Sequence, residues 1–386
     1  MIAKGMHEKV ELHIVQNFAP SCLNRDDANA PKDCEFGGFR RARISSQCIK
    51  RAVRWHPEFR DRAKDHLAIR TRRITEHIAE QVAGRVGADQ AEVQPIVDQL
   101  IAAAVVKMGK GTETSVLLFL GHDEIERIIA TVADAWPELA AAAQEGDKAL
   151  KEKVKAVAKD IDLGTKSVDV ALFGRMIAEQ PKWNIEAACQ VAHAISTHAV
   201  DMEMDFYTAV DDLNPEEEPG AGMMGVIEYN SACFYRYSLL DWPQLLSNLG
   251  GDVDLARTAI EGYLRASILA IPTGKQNSMA AHNLPAFIFA VVRSSGAPIS
   301  LANAFEKPVW VSQYDRDKGL VEKSIERLDA AWGAHKKMYG VGDLAAEVTC
   351  WLDTISPEVT SLPEPVGSID DLVATVMDAL PGNGGG

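Results

Sequence analysis

The stretch from Asn24 to Arg54, NRDDANAPKDCEFGGFRRARISSQCIKRAVR, constrains this chain more than any other. Its turn-rich first half leads through Gly37-Gly38 into a short basic strand, Phe39 to Ile44. Ser45 or Ser46 then stands where a helix N-cap is expected, ahead of Lys50, Arg51 and Arg54. A serine cap leaves backbone N–H groups facing outward at the positive end of a helix, a place that suits anionic oxygens. Between Phe36 and Arg73 there are 12 Lys/Arg against 3 Asp/Glu, although the 386-residue chain has a formal net charge of -15. Such a local reversal of sign is expected of a surface that holds a phosphate backbone.

The length allows two or three domains, or one domain with large insertions. An apolar fraction of 47% suits a chain with a real core. No run approaches a membrane-spanning length, and the opening MIAKGMHEKVE has no apolar signal core, so a soluble cytoplasmic protein without membrane contacts is expected. Cys22, Cys34, Cys48, Cys189, Cys233 and Cys350 form no CxxC pair and no metal-like spacing. They read as reduced thiols, and no metal site is expected. The overall negative charge argues against sequence-blind coating of DNA by the whole surface and leaves room for a basic groove on one side.

Taken in order, Glu8–Phe18 alternate as a half-buried strand, with Val10, Leu12 and Ile14 on one face and Glu11 and His13 on a polar one. A loop of about twenty residues, Ala19 to Gly38, follows; loops of that length are usually functional or disordered. From about Pro57 to Asp160 strand signals are scarce. Leu67, Ile74, Ile78 and Val82 form one helical stripe, and Ile125, Ile128, Ile129 and Val132 another. This predicts a helical insertion of roughly 100 residues. KSVDVALFGR, residues 166–175, reads as a strand stopping at Gly174, and Ile185–Ala199 as a helix. His193 and His198 then lie about 140° apart around that helix and share no ligand face.

Asp201 to Tyr237 is the second informative stretch. Two β-compatible arms, Asp205–Val210 and Gly225–Tyr237, flank a Pro/Gly/Glu-rich centre, which predicts a long hairpin with Met223-Met224 at its tip. Its alternatives are an arm packed back on its own domain or one that reaches a neighbour or wedges between bases. Ala259–Ala270 reads as helix, Gly274-Lys275-Gln276-Asn277 as a polar turn, and PAFIFAVVR as a buried strand. ISLANAFEKPVW, residues 321–339 and the segment after Asp370 read as helices, the last ending in a frayed PGNGGG.

Seven blocks in order, from NRDD…GGFRRARISSQCIKR through ALFGRM, QVAHAIST, FYTAVDDL, CFYRY and KQNSMAAHN to SLANAFEKPV, resemble the backbone subunit of the type I-E CRISPR surveillance complex, Cascade. This is the CasC family of the RAMP superfamily. The likeness spans nearly the whole chain and is weakest in the helical insertion and at the C-terminus. It implies an α+β fold: an RRM-like (ferredoxin-like) palm, an inserted helical finger domain and a long β-hairpin thumb. On this sequence the palm would comprise 1–56, 166–200 and 231–386 with C-terminal helices, the finger 57–165 and the thumb 201–230. Copies would line up head to tail as a homo-oligomer along one guide crRNA and present it to a target DNA strand. Further partners implied are the large, small and 5′-handle subunits and the guide-processing endoribonuclease.

The resemblance places Lys32, Ser45, Gln47, Lys50 and Arg54 on the guide's phosphates and sugars, contacts that carry no sequence information. Arg25, Arg41, Arg43 and Ser46 join them in the same stretch, and Lys275 and Gln276 in the later turn. Met176, after ALFGR, is implied to lie against the guide. Phe206, Tyr207, Thr208 and Met224 are implied to fold over it and displace one base in six, a wedge that costs a few kcal/mol of stacking per step. Glu216-Glu217-Glu218 departs from this pattern: either the triad faces a basic patch of a neighbouring copy or the tip lies off the phosphate path. Asp26-Asp27 and Asp211-Asp212 are the carboxylate pairs. Related type III subunits use an early-loop aspartate to cut RNA with a divalent metal, so a ribonuclease using Asp26 or Asp27 is the alternative function. GxSxG, P-loop and Cys–His nucleophile patterns are missing from the sequence. The expectation is therefore a non-enzymatic protein without cofactor, with Asp26 and Asp27 organising their loop.

Overall fold

The computed structural model describes residues 7–209, 213, 223–312 and 318–382. Strands β1 (Lys9–Ser21), β2 (Asp33–Phe36) and β3 (Phe39–Ile44) lead into helices α1 (Ser46–Trp55) and α2 (Pro57–Ala63). Next come β4 (Ala68–Thr71), α3 (Ile74–Val86), α4 (Gln90–Ala104) and β5 (Leu118–Gly121). Helices α5 (His122–Asp134), α6 (Trp136–Glu145), α7 (Asp147–Val157) and α8 (Val168–Phe173) follow. The chain continues through β6 (Cys189–Val191), β7 (Ala194–Ser196), β8 (Glu203–Ala209) and β9 (Met223–Asp241) to α9 (Trp242–Asn248) and α10 (Val253–Leu269). It closes with α11 (Gln276–Met279), β10 (Phe287–Arg293), α12 (Leu320–Tyr339), β11 (Leu344–Trp351) and α13 (Ile369–Asp378). The architecture is mixed α and β with antiparallel pairing, in two compact units.

The first unit gathers residues 1–61, 190–243 and 260–386 around a sheet of order β11-β10-β1-β9-β7-β3-β2. On one face Val15, Tyr235, Phe287 and Phe289 pack with Leu328 and Trp332 of α12. On the other, Leu12 and Ile14 meet Ile49 of α1 and Tyr263 of α10. β1 is thus covered on both faces, and the solvent-facing polar side expected for it does not exist: Glu11 and His13 are fully buried. Glu11 accepts from Arg293 Nε at 2.6 Å and from the Ile299 amide at 3.0 Å, and His13 Nδ1 lies 2.8 Å from the Tyr235 hydroxyl. Strand β9 runs past the sheet, and its first residues pair with β8 as a hairpin, Phe206 opposite Val226 and Thr208 opposite Met224. Met223 and Met224 are therefore strand residues, not a turn. Residues 210–212 and 214–222, with Asp211-Asp212 and the Glu216–Glu218 triad, lie outside the described residues, as do 383–386 of the expected frayed tail.

The second unit comprises 62–189 and 244–259. Its helices enclose Ile74, Ile78, Val82, Leu100, Ile125, Ile128 and Val132, so both stripes read from the sequence are core faces. Strands β4 and β5, four residues each, escaped the sequence reading because they are too short to show a period.

Three segments differ in type from their expectation. Residues 166–175 hold helix α8 in place of a strand. Val168 to Leu172 are all buried, so no periodicity distinguishes the two, and Gly174 ends either element. Residues 185–199 hold β6 and β7 instead of a helix: alanine favours helix, but tertiary pairing overrides propensity, and β7 pairs with β3 and β9. ISLANAFEKPVW forms a single 3-10 turn, Ala302–Phe305. The long early loop is also shorter than expected. β1 continues to Ser21, Asn24 and Lys32 close a small turn by a 2.9 Å backbone bond, and β2 pairs with β3.

That last pair is joined by Gly37 and Gly38 alone, with φ of 63° and 79°, the two-residue hairpin turn that needs positive φ at both positions. A Cβ on Gly37 would sit 1.9 Å from the Glu306 carbonyl oxygen, whereas one on Gly38 meets nothing. Gly38→Ala should carry only the left-handed backbone penalty of about 1–2 kcal/mol. Gly37→Ala should cost clearly more, and calorimetric melting of the two variants side by side checks the order. Equal losses would mean that the turn does not depend on its seat against Glu306.

Candidate nucleic-acid interface

Helix α1 begins because Ser45 is extended (φ -67, ψ 147) and its hydroxyl accepts the Cys48 amide at 3.3 Å. The Ser45 amide in turn donates to Asn24 Oδ1 at 2.7 Å, which ties the helix start to the early loop. Ser45 is buried, and its side chain serves as the cap. What the cap offers is the pair of Ser46 and Gln47 N–H groups, which lack intrahelical acceptors at the positive helix end. Ile49 and Val53 anchor the inner face of the helix. Gln47, Lys50, Arg51 and Arg54 consequently share the outer face.

Loop and sheet bring further cations to the same place. The backbone of Lys32 bonds both Asn24 and Arg43 at 2.9 Å. Lys32 and Arg51 both flank the Cys48 thiol, whose pKa burial nevertheless raises. Arg25 and Lys275 flank Cys22 in the same way, again with burial as the larger effect. Gly274 lies so close to this loop that a Cβ would come within 2.3 Å of the Leu23 oxygen, so Lys275 is carried to it by the backbone. Among the described residues no carboxylate pairs with Lys32, Lys50, Arg51 or Lys275.

The remaining basic residues of the stretch are engaged differently. Arg40 pairs with Asp33. Arg41, expected at the surface, is fully buried and donates to the carbonyls of Ser196 at 2.9 Å, Phe305 at 2.7 Å and Glu306 at 3.2 Å. Arg43 donates to the Asp33 carbonyl at 2.9 Å and reaches His193 Nδ1 at 3.0 Å. Arg25 donates to Asn29 Oδ1 at 3.0 Å. Asp26 Oδ1 accepts the Ala28 and Ala30 amides, both at 2.9 Å, and so shapes its own loop. Gln276 turns inward: its Nε2 donates to the Pro272 and Ala281 carbonyls at 3.1 Å, which removes it from the exposed set.

Met176 belongs to the second unit and is 82% exposed, while its neighbour Arg175 is buried against Glu124 at 2.7 Å. On the hairpin, Phe206 and Thr208 share a face with Met204 and Val226, and Tyr207 lies on the opposite face with Glu203 and Asp205. All three are exposed, yet they cannot act on one side together. The sequence reading did not single out Trp55, and it took His193 for an ordinary helix histidine. Trp55 stands at the end of α1, 54% exposed, with the guanidinium of Arg60 4.6 Å from its ring centroid and that of Arg54 at 5.7 Å. An aromatic directly after KRAVR was the signal for it. His193 gave none, because its partner Arg43 is 150 residues away in sequence.

Two solved structures resemble this fold over nearly its whole length. One, described as "CRISPR RNA-guided surveillance complex, pre-nicking", shares 31% identity with a TM-score of 0.81, over 96% of this chain and 99% of that one. The other, described as "CRISPR RNA-guided surveillance complex", shares 26% identity with a TM-score of 0.72, over the same proportions. No curated protein sequence matches. The chain belongs to the family described as CT1975-like protein, whose model matches residues 10–375. No helix among the described residues is long and apolar enough to cross a membrane.

Two predictions follow from the local chemistry. Arg41→Ala strips three carbonyls of a donor, two of them in buried bonds, and should lower stability by about 2–4 kcal/mol in denaturant titration; a silent substitution would contradict the buried role. Burial, with the Arg43 and Lys32 cations behind it, holds the His193 imidazole below its ordinary value. An anion seated on those two cations would cancel their field and raise that pKa, so binding should take up a proton. Affinity for single-stranded RNA should therefore rise as pH falls from neutral to mildly acidic, and His193→Ala should flatten the trend in an anisotropy titration.

Proposed function

We propose that this chain is the guide-RNA-binding backbone subunit of a type I-E CRISPR surveillance complex, Cascade. In this reading the first unit is an RRM-like palm, the second a finger, and the β8–β9 hairpin a thumb. Copies assemble head to tail along one crRNA, the heterologous contact that builds open filaments. They hold the guide for pairing with a target DNA strand, beside the large, small, 5′-handle and guide-processing subunits in the cytoplasm. The observation that carries the reading is the set of unpaired cations, Lys32, Lys50, Arg51 and Lys275, gathered at the capped start of α1 in a protein of net charge -15. Family membership and the two structural likenesses support it.

The chemistry is that of a scaffold. Lysine and arginine meet phosphates, helix-start amides meet anionic oxygens, and neither reads a base. Sequence recognition then belongs to base pairing, as RNA-guided effectors require. The protein acts without catalysis or cofactor, and the commitment of Asp26 Oδ1 to its own loop supports that.

Guides with unrelated spacers should bind with equal affinity and with a steep salt dependence. Replacing Lys32 and Lys50 together by alanine should flatten the slope of log affinity against log salt by about 0.7 per lost phosphate contact. A spacer-dependent affinity, or an unchanged slope in the double variant, would refute the scaffold.

A further inference from the structure

A cleft of about 520 Å³ opens beside α1, between the early loop, the Cys48–Arg51–Trp55 side of the helix and residues 270–274. Its volume falls within the ~300–1,000 Å³ of small-molecule sites. Trp55 forms part of its wall, and Arg60, which covers the indole at 4.6 Å, stands outside it. The indole, 54% exposed and with the Arg54 guanidinium also 5.7 Å from its centroid, keeps surface toward the cavity that it lines.

The polar side chains of the wall are mostly spent. Asn24 Oδ1 holds the Ser45 amide at 2.7 Å, Asn29 Oδ1 holds Arg25 at 3.0 Å, and Asp26 Oδ1 holds two loop amides at 2.9 Å. The parts of the wall suited to a base and its phosphate are the flat aromatic surface of Trp55 and Arg51, which has no carboxylate partner among the described residues. A wall of that kind offers a base a stacking surface. It can take the face of any base, because stacking is tolerant of sequence.

Helix geometry connects this cleft to the phosphate surface. Gln47, Lys50 and Arg54 lie along one line of α1, and Arg51 and Trp55 along the adjacent line, about 100° per residue around the axis. A strand tracking the first line has its sugars and bases within reach of the second.

We propose that the cleft holds one nucleobase of the bound strand, stacked on Trp55, with the phosphate of that nucleotide against Arg51; this rests on the guide-RNA reading. The contact is a sequence-tolerant base site added to the backbone cradle. It would let the subunit distinguish a strand that bears bases from a bare polyanion.

The test compares the full-length chain on a labelled oligouridylate and on an abasic ribose-phosphate oligomer of equal length. Trp55→Ala should weaken the uridylate at least about fivefold, equivalent to ~1 kcal/mol, and leave the abasic strand unchanged. Trp55→Phe, which keeps a flat ring, should recover most of the loss. The unchanged abasic affinity shows at the same time that the alanine variant is folded. Equal weakening of both strands, or of neither, overturns the cleft assignment. A salt-independent affinity of the unsubstituted protein for the abasic strand would instead overturn the phosphate cradle and the guide-RNA reading with it.

Discussion

The basic surface depends on a cation that is not on the surface. Arg41 keeps its guanidinium inside the first unit, where taking a charge out of water costs several kcal/mol unless its donors are satisfied. Three carbonyl oxygens offset that cost, two of them from the turn at Phe305 and Glu306 and one from β7. Burial lowers its pKa, while a guanidinium is the side-chain cation that most firmly keeps its proton. The Ala42 amide on Ser196 Oγ at 3.1 Å reinforces the same attachment. Strand β3 is thereby fixed at its middle, its turn seated against Glu306 and its end delivered to the Ser45 cap. The direction of α1, and with it the line of exposed cations, follows from that attachment.

Much of the fold was legible because burial writes a period into the sequence. The stripes of α3 and α5 and the continuous apolar run of β10 emerged in this way, whereas the exposed strand β8 showed only in its β-compatible residues. The failures occurred where spacing has no unique reading. Residues 168–173 are buried all round, and a short segment of that kind is equally compatible with helix and strand. In β1, Glu11 and His13 alternate as they would beside water. They instead meet Arg293 and Tyr235, because a polar layer inside a sheet has the same period as a solvent face. Strand β11 carries partly exposed alanines and gave no clear pattern.

The candidate site was legible as a region and illegible as a set of side chains. FRRARI presents three arginines in four positions, and composition treats them alike. Strand geometry separates them: Arg40 points out to Asp33, Arg41 points into the core, and Arg43 lies half-buried beside His193. Local rules could not supply all of these fates, since those of Arg41 and Arg43 depend on residues far along the chain. Helix α1 was easier, because a cap and an inner pair at Ile49 and Val53 leave one outer face by elimination.

Net charge and site charge then cease to conflict. At physiological salt a cation acts over about 8 Å, so a phosphate senses its nearest neighbours and hardly the chain total. Arg41, Arg175, Arg236 and Arg293 are buried, and each is spent on internal carbonyls, amides or carboxylates. Counting them as surface charge would overstate the cradle, just as counting every carboxylate would hide it. The acidic remainder has its own effect: a net charge of -15 disfavours a polyanion in general, and the local cations along α1 oppose it. A surface of that kind would place an anionic strand by charge, without reading its bases.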